Sequence, residues 1–508
     1  MAISENNRRI ARNSLFLYVR MAIIMVVNLY VVRIVLNELG AEDYGIYSVI
    51  AGTVTLFTFL STSLSSGAQR FFAYDIGAGE SCKLKKTFSL TLYVYGVIGL
   101  ISVVLLETFG VWILNSKLNI PFDRLWEANC VFQFVILSFL ISIFIIPFNA
   151  VVIAYERMSF FAYLSIAEAL LKLFIAFSLI FMSANKLILY SILLCSVSAI
   201  TLLIYVIYIR NNIRDCSFIK VKRDEFSYAK ILLKYSGWNM IGVLAGLFRN
   251  QGLIILLNIY FNPIVNAAQT IGQQIYGVVN QLISNVYIAS RPQITKYHSQ
   301  SNDNNMWRLI FLSGKIAYFL MLAIVIPLFI CIDFILHIWL GNVPPYTSII
   351  CRLLLISLLI ETFTNQLFGG FQATNRLKKV QSISSSILLL NIPVSYLILR
   401  FYSIVQLPYI VIIMISILYS VSIIWIARID LYMSVRLFLK ELFIPSFLVL
   451  ATAPIIPVIV FLLIKEGWTN CIATILSSIL SMTICIWIFG ITSRERNKLK
   501  TIIKRKLR

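Results

Sequence analysis

The chain has 508 residues, of which 60% are hydrophobic and only 13% charged, with a mean hydropathy of +0.89. That balance excludes a soluble globular protein and leaves a polytopic membrane protein with the bilayer as its solvent. A net charge of +22 would suit nucleic-acid binding in a soluble chain, but in a membrane protein it fits basic residues that hold cytoplasmic loops in place.

Residues 1–12 are polar and basic, and no small-residue cleavage site follows the first apolar run, so an uncleaved anchor is expected. That run, 15–36, spans roughly 33 Å as a helix, enough for a hydrocarbon core of about 30 Å. It holds Arg20 inside it and Arg33 near its far end. A guanidinium in hydrocarbon is costly and marks a functional position by default.

Further apolar runs follow at 45–66, 88–113, 129–153, 160–182, 187–209, 237–260 and 264–289, then at 309–332, 348–371, 380–399, 404–427, 442–464 and 470–490. The expectation is an all-α polytopic membrane protein of about 14 transmembrane helices. An even count puts both termini on one side. Of 43 Lys and Arg, 32 fall in segments on that side and five on the other, so the N and C termini are expected in the cytoplasm. Topology accounts for the basic excess, and no nucleic-acid partner is needed. Outer loops are short, the longest near 114–128. The longest inner loop, 210–236, mixes Arg214, Lys220, Lys222 and Arg223 with Asp215, Asp224 and Glu225 and reads as an amphipathic connector on the membrane surface.

An internal repeat divides the chain there. Residues 154–158 (Ala-Tyr-Glu-Arg-Met) are echoed at 373–377 (Ala-Thr-Asn-Arg-Leu), Leu36-Asn37 at Leu257-Asn258, and Arg210 at Arg428, all at nearly the same offset. This gives an N-terminal lobe of six helices over 1–209, a linker over 210–236 and a second six-helix lobe over 237–440. Two C-terminal helices and a basic tail occupy 441–508. Six is even, so the lobes form a parallel repeat about an axis along the membrane normal.

In the eighth span Asn266, Gln269, Thr270, Gln273, Tyr276, Asn280, Ser284 and Tyr287 lie within about 60° of Gln273 on a helical wheel. In the second span Thr55, Thr58, Ser61, Thr62, Ser65 and Gln69 share a face. Either these stripes line a watery cavity between lobes, or they join helices by hydrogen bonds. Arg249 lies mid-span in the seventh helix beside Gly242, Ala245 and Gly246. Arg20 and Arg249 suit a lumen, whereas Arg33, about 140° around the first helix from Arg20, suits the outer headgroups. Among acids, Glu168 can pair with Lys172 one turn on, while Glu361 has no partner nearby in sequence and would pair with Arg249 or carry a proton.

His298 and His337 lie at different depths, eight dispersed cysteines contain no Cys-x-x-Cys, and no glycine-rich phosphate loop is present. These features point to neither an enzyme nor a metal protein. No cofactor is expected, and the driving force would be a proton or sodium gradient, or the substrate's own.

Two stretches carry a family resemblance. Residues 39–47 (Leu-Gly-Ala-Glu-Asp-Tyr-Gly-Ile-Tyr) and 154–161 (Ala-Tyr-Glu-Arg-Met-Ser-Phe-Phe) resemble the polysaccharide-biosynthesis flippases. These are the Wzx-like branch of the multidrug/oligosaccharidyl-lipid/polysaccharide (MOP) exporter superfamily. The resemblance implies alternating-access transport of a polyprenyl-diphosphate-linked glycan, such as an O-antigen unit, across the bacterial inner membrane, with a polysaccharide polymerase and other assembly proteins as partners. On it, Arg20 and Arg249 would grip the diphosphate, since arginine holds such oxyanions bidentately. The eighth-span stripe and Thr55, Thr58 and Thr62 would line the sugar cavity, and Glu361 or Glu168 would couple an ion. A multidrug-type cation exporter of the same fold is the nearest rival, disfavoured by arginines where such relatives carry acids. A membrane polymerase or ligase would need a large outer loop, and a channel would not need the repeat.

Overall fold

The computed structural model describes residues 2–58, 68, 71, 72, 75, 76, 81–155, 157–182, 185–213, 247–300, 302–374, 376–465 and 467–491. Among these residues there are helices and connecting turns and no strand, as a chain with no water to satisfy its backbone requires.

The helices in chain order begin with α1, Ala2–Thr55, and α2, Ser81–Leu105, which runs on through a π-helical turn to Ser116. Next come α3 (Leu125–Ala154), α4 (Met158–Ser178), α5 (Lys186–Asn212), α6 (247–260) and α7 (Pro263–Ser299). They are followed by α8 (Asp303–Ile330), α9 (Ile332–Leu340), α10 (Thr347–Asn365) and α11 (Leu367–Ala373). The last are α12 (Leu377–Leu389), α13 (Asn391–Phe401), α14 (Leu407–Asp430), α15 (Ile444–Thr452), α16 (Ile455–Leu463) and α17 (Trp468–Cys485).

Among the described residues eleven helical segments are long and apolar enough to cross a membrane. The limb of α1 beyond Gly40, with α6 and α7, brings these to the expected fourteen transmembrane helices. The first and second spans are not separated by a loop. They are one helix broken at Gly40, whose φ of +79° is a backbone state that favours glycine. The expected inner loop over 290–308 is mostly helix, because α7 continues to Ser299 and α8 starts at Asp303. The apolar run in α7 ends before the helix does, since its last turns are polar and need no hydrocarbon. Beyond α8 the short helix α9 stands where only a loop was expected.

Two compact units result: residues 1–270 with 340–344, and residues 271–339 with 345–508. In the first, α1 packs along α4, and α3 along α5. Val35, Ile46, Val49, Ile50, Val131 and Val152 are fully buried there. Leu100, Val104, Phe109 and Phe174 are exposed, which is the lipid-facing complement of that core. The stretch over 39–47 earns its glycines in this unit: a Cβ on Gly45 would stand 1.8 Å from the Pro263 carbonyl oxygen. Asp43 meets Arg124 at 3.7 Å, and Tyr47 packs edge-on against Tyr190. The second unit is built around Tyr318, Leu322, Val449 and Met482, and around Ile310, Phe371, Ile423 and Phe438.

Candidate functional site

In the first unit α4 carries Phe161, Ser165, Glu168 and Lys172 at helical spacing, so the four share one face. Because α1 packs along α4, Arg20 reaches that face. Its guanidinium carbon sits 4.5 Å from the centre of the Phe161 ring, and Nη1 donates to Ser165 Oγ at 3.4 Å. Arg20 Nε is buried without a hydrogen-bond partner, so the group keeps unspent donor capacity. Lys172 Nζ donates to Glu168 Oε1 at 2.6 Å, the expected pair one turn apart. Tyr205 of α5 feels the charges of Arg20 and Glu168 and accepts from Asn149 Nδ2 at 3.1 Å. Arg249 is half-buried on α6.

The α7 stripe divides by depth. Asn266 and Gln269 are fully buried, whereas Thr270, Gln273, Tyr276, Asn280 and Ser284 are half-buried. Both amide atoms of Asn266 are buried without partners. The hydroxyls of Thr55, Thr58, Thr270 and Ser284 donate to carbonyls of their own helices at 2.7–2.9 Å. Such back-bonds satisfy a hydroxyl locally. Thr62, with Ser61, Ser65, Gln69, Gly242, Ala245 and Gly246, lies outside the described residues, as do most of the 210–236 linker and the tail beyond 491.

In the second unit Glu361 of α10 is buried and accepts from Tyr276 Oη at 3.1 Å and Ser416 Oγ at 2.7 Å. Tyr287 Oη donates to the carbonyl of Thr362 at 3.3 Å, which seats the same stretch of α7 on α10. Arg352 of α10 donates through Nη2 to Asp333 of α9 at 2.6 Å. The Ser348 hydroxyl and the Arg352 guanidinium outweigh burial and hold the Asp333 carboxyl below its usual range.

Sequence reasoning missed a cavity of about 700 Å³ walled by α8, α10, α14 and the 443–458 stretch. Its lining is almost wholly apolar, with Leu322, Phe329, Ile360, Phe363 and Phe447 on its walls and Thr364 and Ser420 as polar exceptions. Ile360 faces this cavity while its neighbour Glu361, 100° further around α10, meets Tyr276 and Ser416. No single run of sequence announces such a space, because four distant helices supply its walls. The α4 face was legible in principle, since Phe161, Ser165, Glu168 and Lys172 recur at i, i+4, i+7 and i+11.

Residues 17–178 match the MatE family model. Among solved structures the chain is similar to lipid II flippase MurJ in an inward closed conformation, at 14% identity and a TM-score of 0.69, covering 94% of this chain and 98% of that one. It is also similar to an inward-facing multidrug resistance MATE family transporter of the MOP superfamily, at 14% identity and 0.68, covering 82% and 98%. A MOP superfamily transporter from Pyrococcus furiosus gives 14% and 0.54, covering 84% and 95%. Among curated protein sequences none matches. At these identities the likeness is one of fold.

Proposed function

We propose that this multi-pass membrane protein, which has the fold of MOP-superfamily transporters and a MatE region over 17–178, flips a polyprenyl-diphosphate-linked oligosaccharide across the bacterial inner membrane. The observation that carries the reading is the pairing of two unlike features in one chain: an intramembrane arginine with donors to spare and a large apolar cavity. Arg20 is held open-handed over Phe161, suited to an oxyanion. The cavity of about 700 Å³ in the second unit offers its Leu, Ile and Phe walls to a hydrocarbon tail. A cargo with an anionic head and a long apolar chain matches both, and a lone cation matches neither. The flippase structure also covers 94% of this chain, against 82% for the MATE-type structure.

In this reading Arg20 and Arg249 hold the diphosphate, and the half-buried residues of α7, from Gln273 to Ser284, contact sugars. Glu361, buried under Tyr276 and Ser416, favours an ion-coupled mechanism. It is also the feature that a multidrug-type exporter of the same fold would use. The test is flipping of a fluorescent polyprenyl-diphosphate disaccharide in proteoliposomes. Charge-assisted hydrogen bonds contribute about 1.5–3 kcal/mol each, so Arg20→Ala and Arg249→Ala are each expected to lose at least about tenfold in rate at normal expression. Full activity in both variants, or transport of organic cations with no flipping, would sink the proposal.

A further inference from the structure

Cys331 and Cys471 are 140 positions apart, and nothing in their sequence surroundings links them. The fold brings them to one place. Cys331 caps the C-terminus of α8, its N–H donating to the Pro327 carbonyl, and Cys471 lies in the first turn of α17. Both are buried free thiols, and both wall a second cavity of about 270 Å³ together with Asp333, His337 and Asn470. The ring contacts fix the register: Phe334, three residues past Cys331, packs edge-on against Trp468, three residues before Cys471, with centroids 5.6 Å apart. One helical turn from that ring pair on each element lie Cys331 and Cys471, and both wall the same cavity. The two thiols act on each other electrostatically, and Thr474, one turn beyond Cys471, lies beside Cys331.

We infer that Cys331 and Cys471 form a reversible disulfide, a modification site that staples the start of the last transmembrane helix to the end of α8. The oxidant is a second disulfide, organic or protein-borne. The Cys331 thiolate attacks one of its sulfurs and expels the other as a thiol, giving a mixed disulfide. The Cys471 thiolate then attacks the Cys331 sulfur, forming the Cys331–Cys471 bond and releasing the second thiol. Two cysteine thiols are oxidised, one disulfide is reduced to two thiols, and the protons end on the released thiols. The excess of basic residues at the opposite helix ends puts this site on the extracytoplasmic side, where disulfides persist. Burial pushes the Cys331 thiol above its ordinary range, so exchange is slow at neutral pH and quickens about tenfold per unit as pH rises below that value. Ile330 lines both this cavity and the larger apolar one, so the staple pins the shared wall between them.

The test uses the full-length protein in membranes, treated with dithiodipyridine, denatured and titrated with a polyethylene-glycol maleimide that adds mass to each free thiol. Wild type is expected to lose at least two of its eight reactive cysteines, accessible ones as pyridyl adducts and this pair as a disulfide that carries no adduct, and to recover all of them with dithiothreitol. In C331S and C471S the remaining partner can only carry a pyridyl adduct, so each variant gains pyridyl mass at that cysteine where wild type shows none, and C351S, which removes a buried cysteine on α10, keeps the wild-type pattern. Peptide mapping of oxidised wild type keeps the test independent of whether the variants fold, because it must find the peptides of Cys331 and Cys471 joined. Eight reactive thiols after oxidation, a different joined pair, or dimers linked between chains would each overturn the inference. None of these readouts depends on what the protein transports.

Discussion

Gly45 shows how much one missing methyl group decides. Its Cα lies so close to the Pro263 carbonyl that a Cβ would sit 1.8 Å from the oxygen, and a backbone carbonyl at the head of α7 cannot turn aside as a side-chain tip can. Gly45→Ala therefore has to push two helices apart. Overpacking of this kind costs about 1–3 kcal/mol, so a lower thermal unfolding midpoint in detergent is expected, and an unchanged midpoint would show that the approach is looser than the structure has it. The residue was visible in the sequence as part of the 39–47 stretch, but its reason was not. Pro263 is more than two hundred positions away, and only the fold reveals the contact. Arg20 is the opposite case: a charge inside an apolar run is conspicuous by itself, whereas its partners Phe161 and Ser165 required knowing that α1 lies along α4.

Among the elements, α10 does the most varied work. One side presents Ile356, Ile360 and Phe363 to the apolar cavity, and another buries Glu361 under two hydroxyl donors. Just past its end Gln366 Nε2 donates to Ser290 and Ser313, both at 2.7 Å. If Glu361 holds the coupling ion, Glu361→Gln keeps the shape and one of the two acceptor oxygens while removing the charge. Flipping in proteoliposomes should then fall about tenfold and lose its response to an imposed proton or sodium gradient. A variant that still responds fully to the gradient would place coupling elsewhere. Element ends were the least legible level. The polar end of α7 hid ten helical residues, and α9 was hidden because nine residues are too few to read as a span.

For the molecule as a whole, the apolar runs were legible because a bilayer demands about 20 apolar residues per helix whatever those helices pack against. Orientation rests on a different signal, the distribution of Lys and Arg, with 32 of 43 in the segments expected on one side. A single cysteine at Lys117, in the short turn after α2, should be labelled from outside intact cells by a membrane-impermeant maleimide. One at Lys379, which pairs with Asp430 at 2.8 Å, should react only after the cells are opened. The reverse pattern would invert the topology.

The α7 helix has a mechanical implication. It is unbroken over 37 residues, about 55 Å of rod against a hydrocarbon core of about 30 Å. Its first two turns belong to one compact unit and the rest to the other. A hinge needs a residue whose backbone can swing, and here the chain crosses the unit boundary at Thr270–Ile271 in continuous helix, with Thr270 Oγ1 bonded back to the Asn266 carbonyl. A bend in α7 at that point would have to break backbone hydrogen bonds beside Asn266, whose buried amide already holds unmatched polar atoms. Bending there therefore costs the helix its own ladder, where a loop would yield by turning one or two dihedrals.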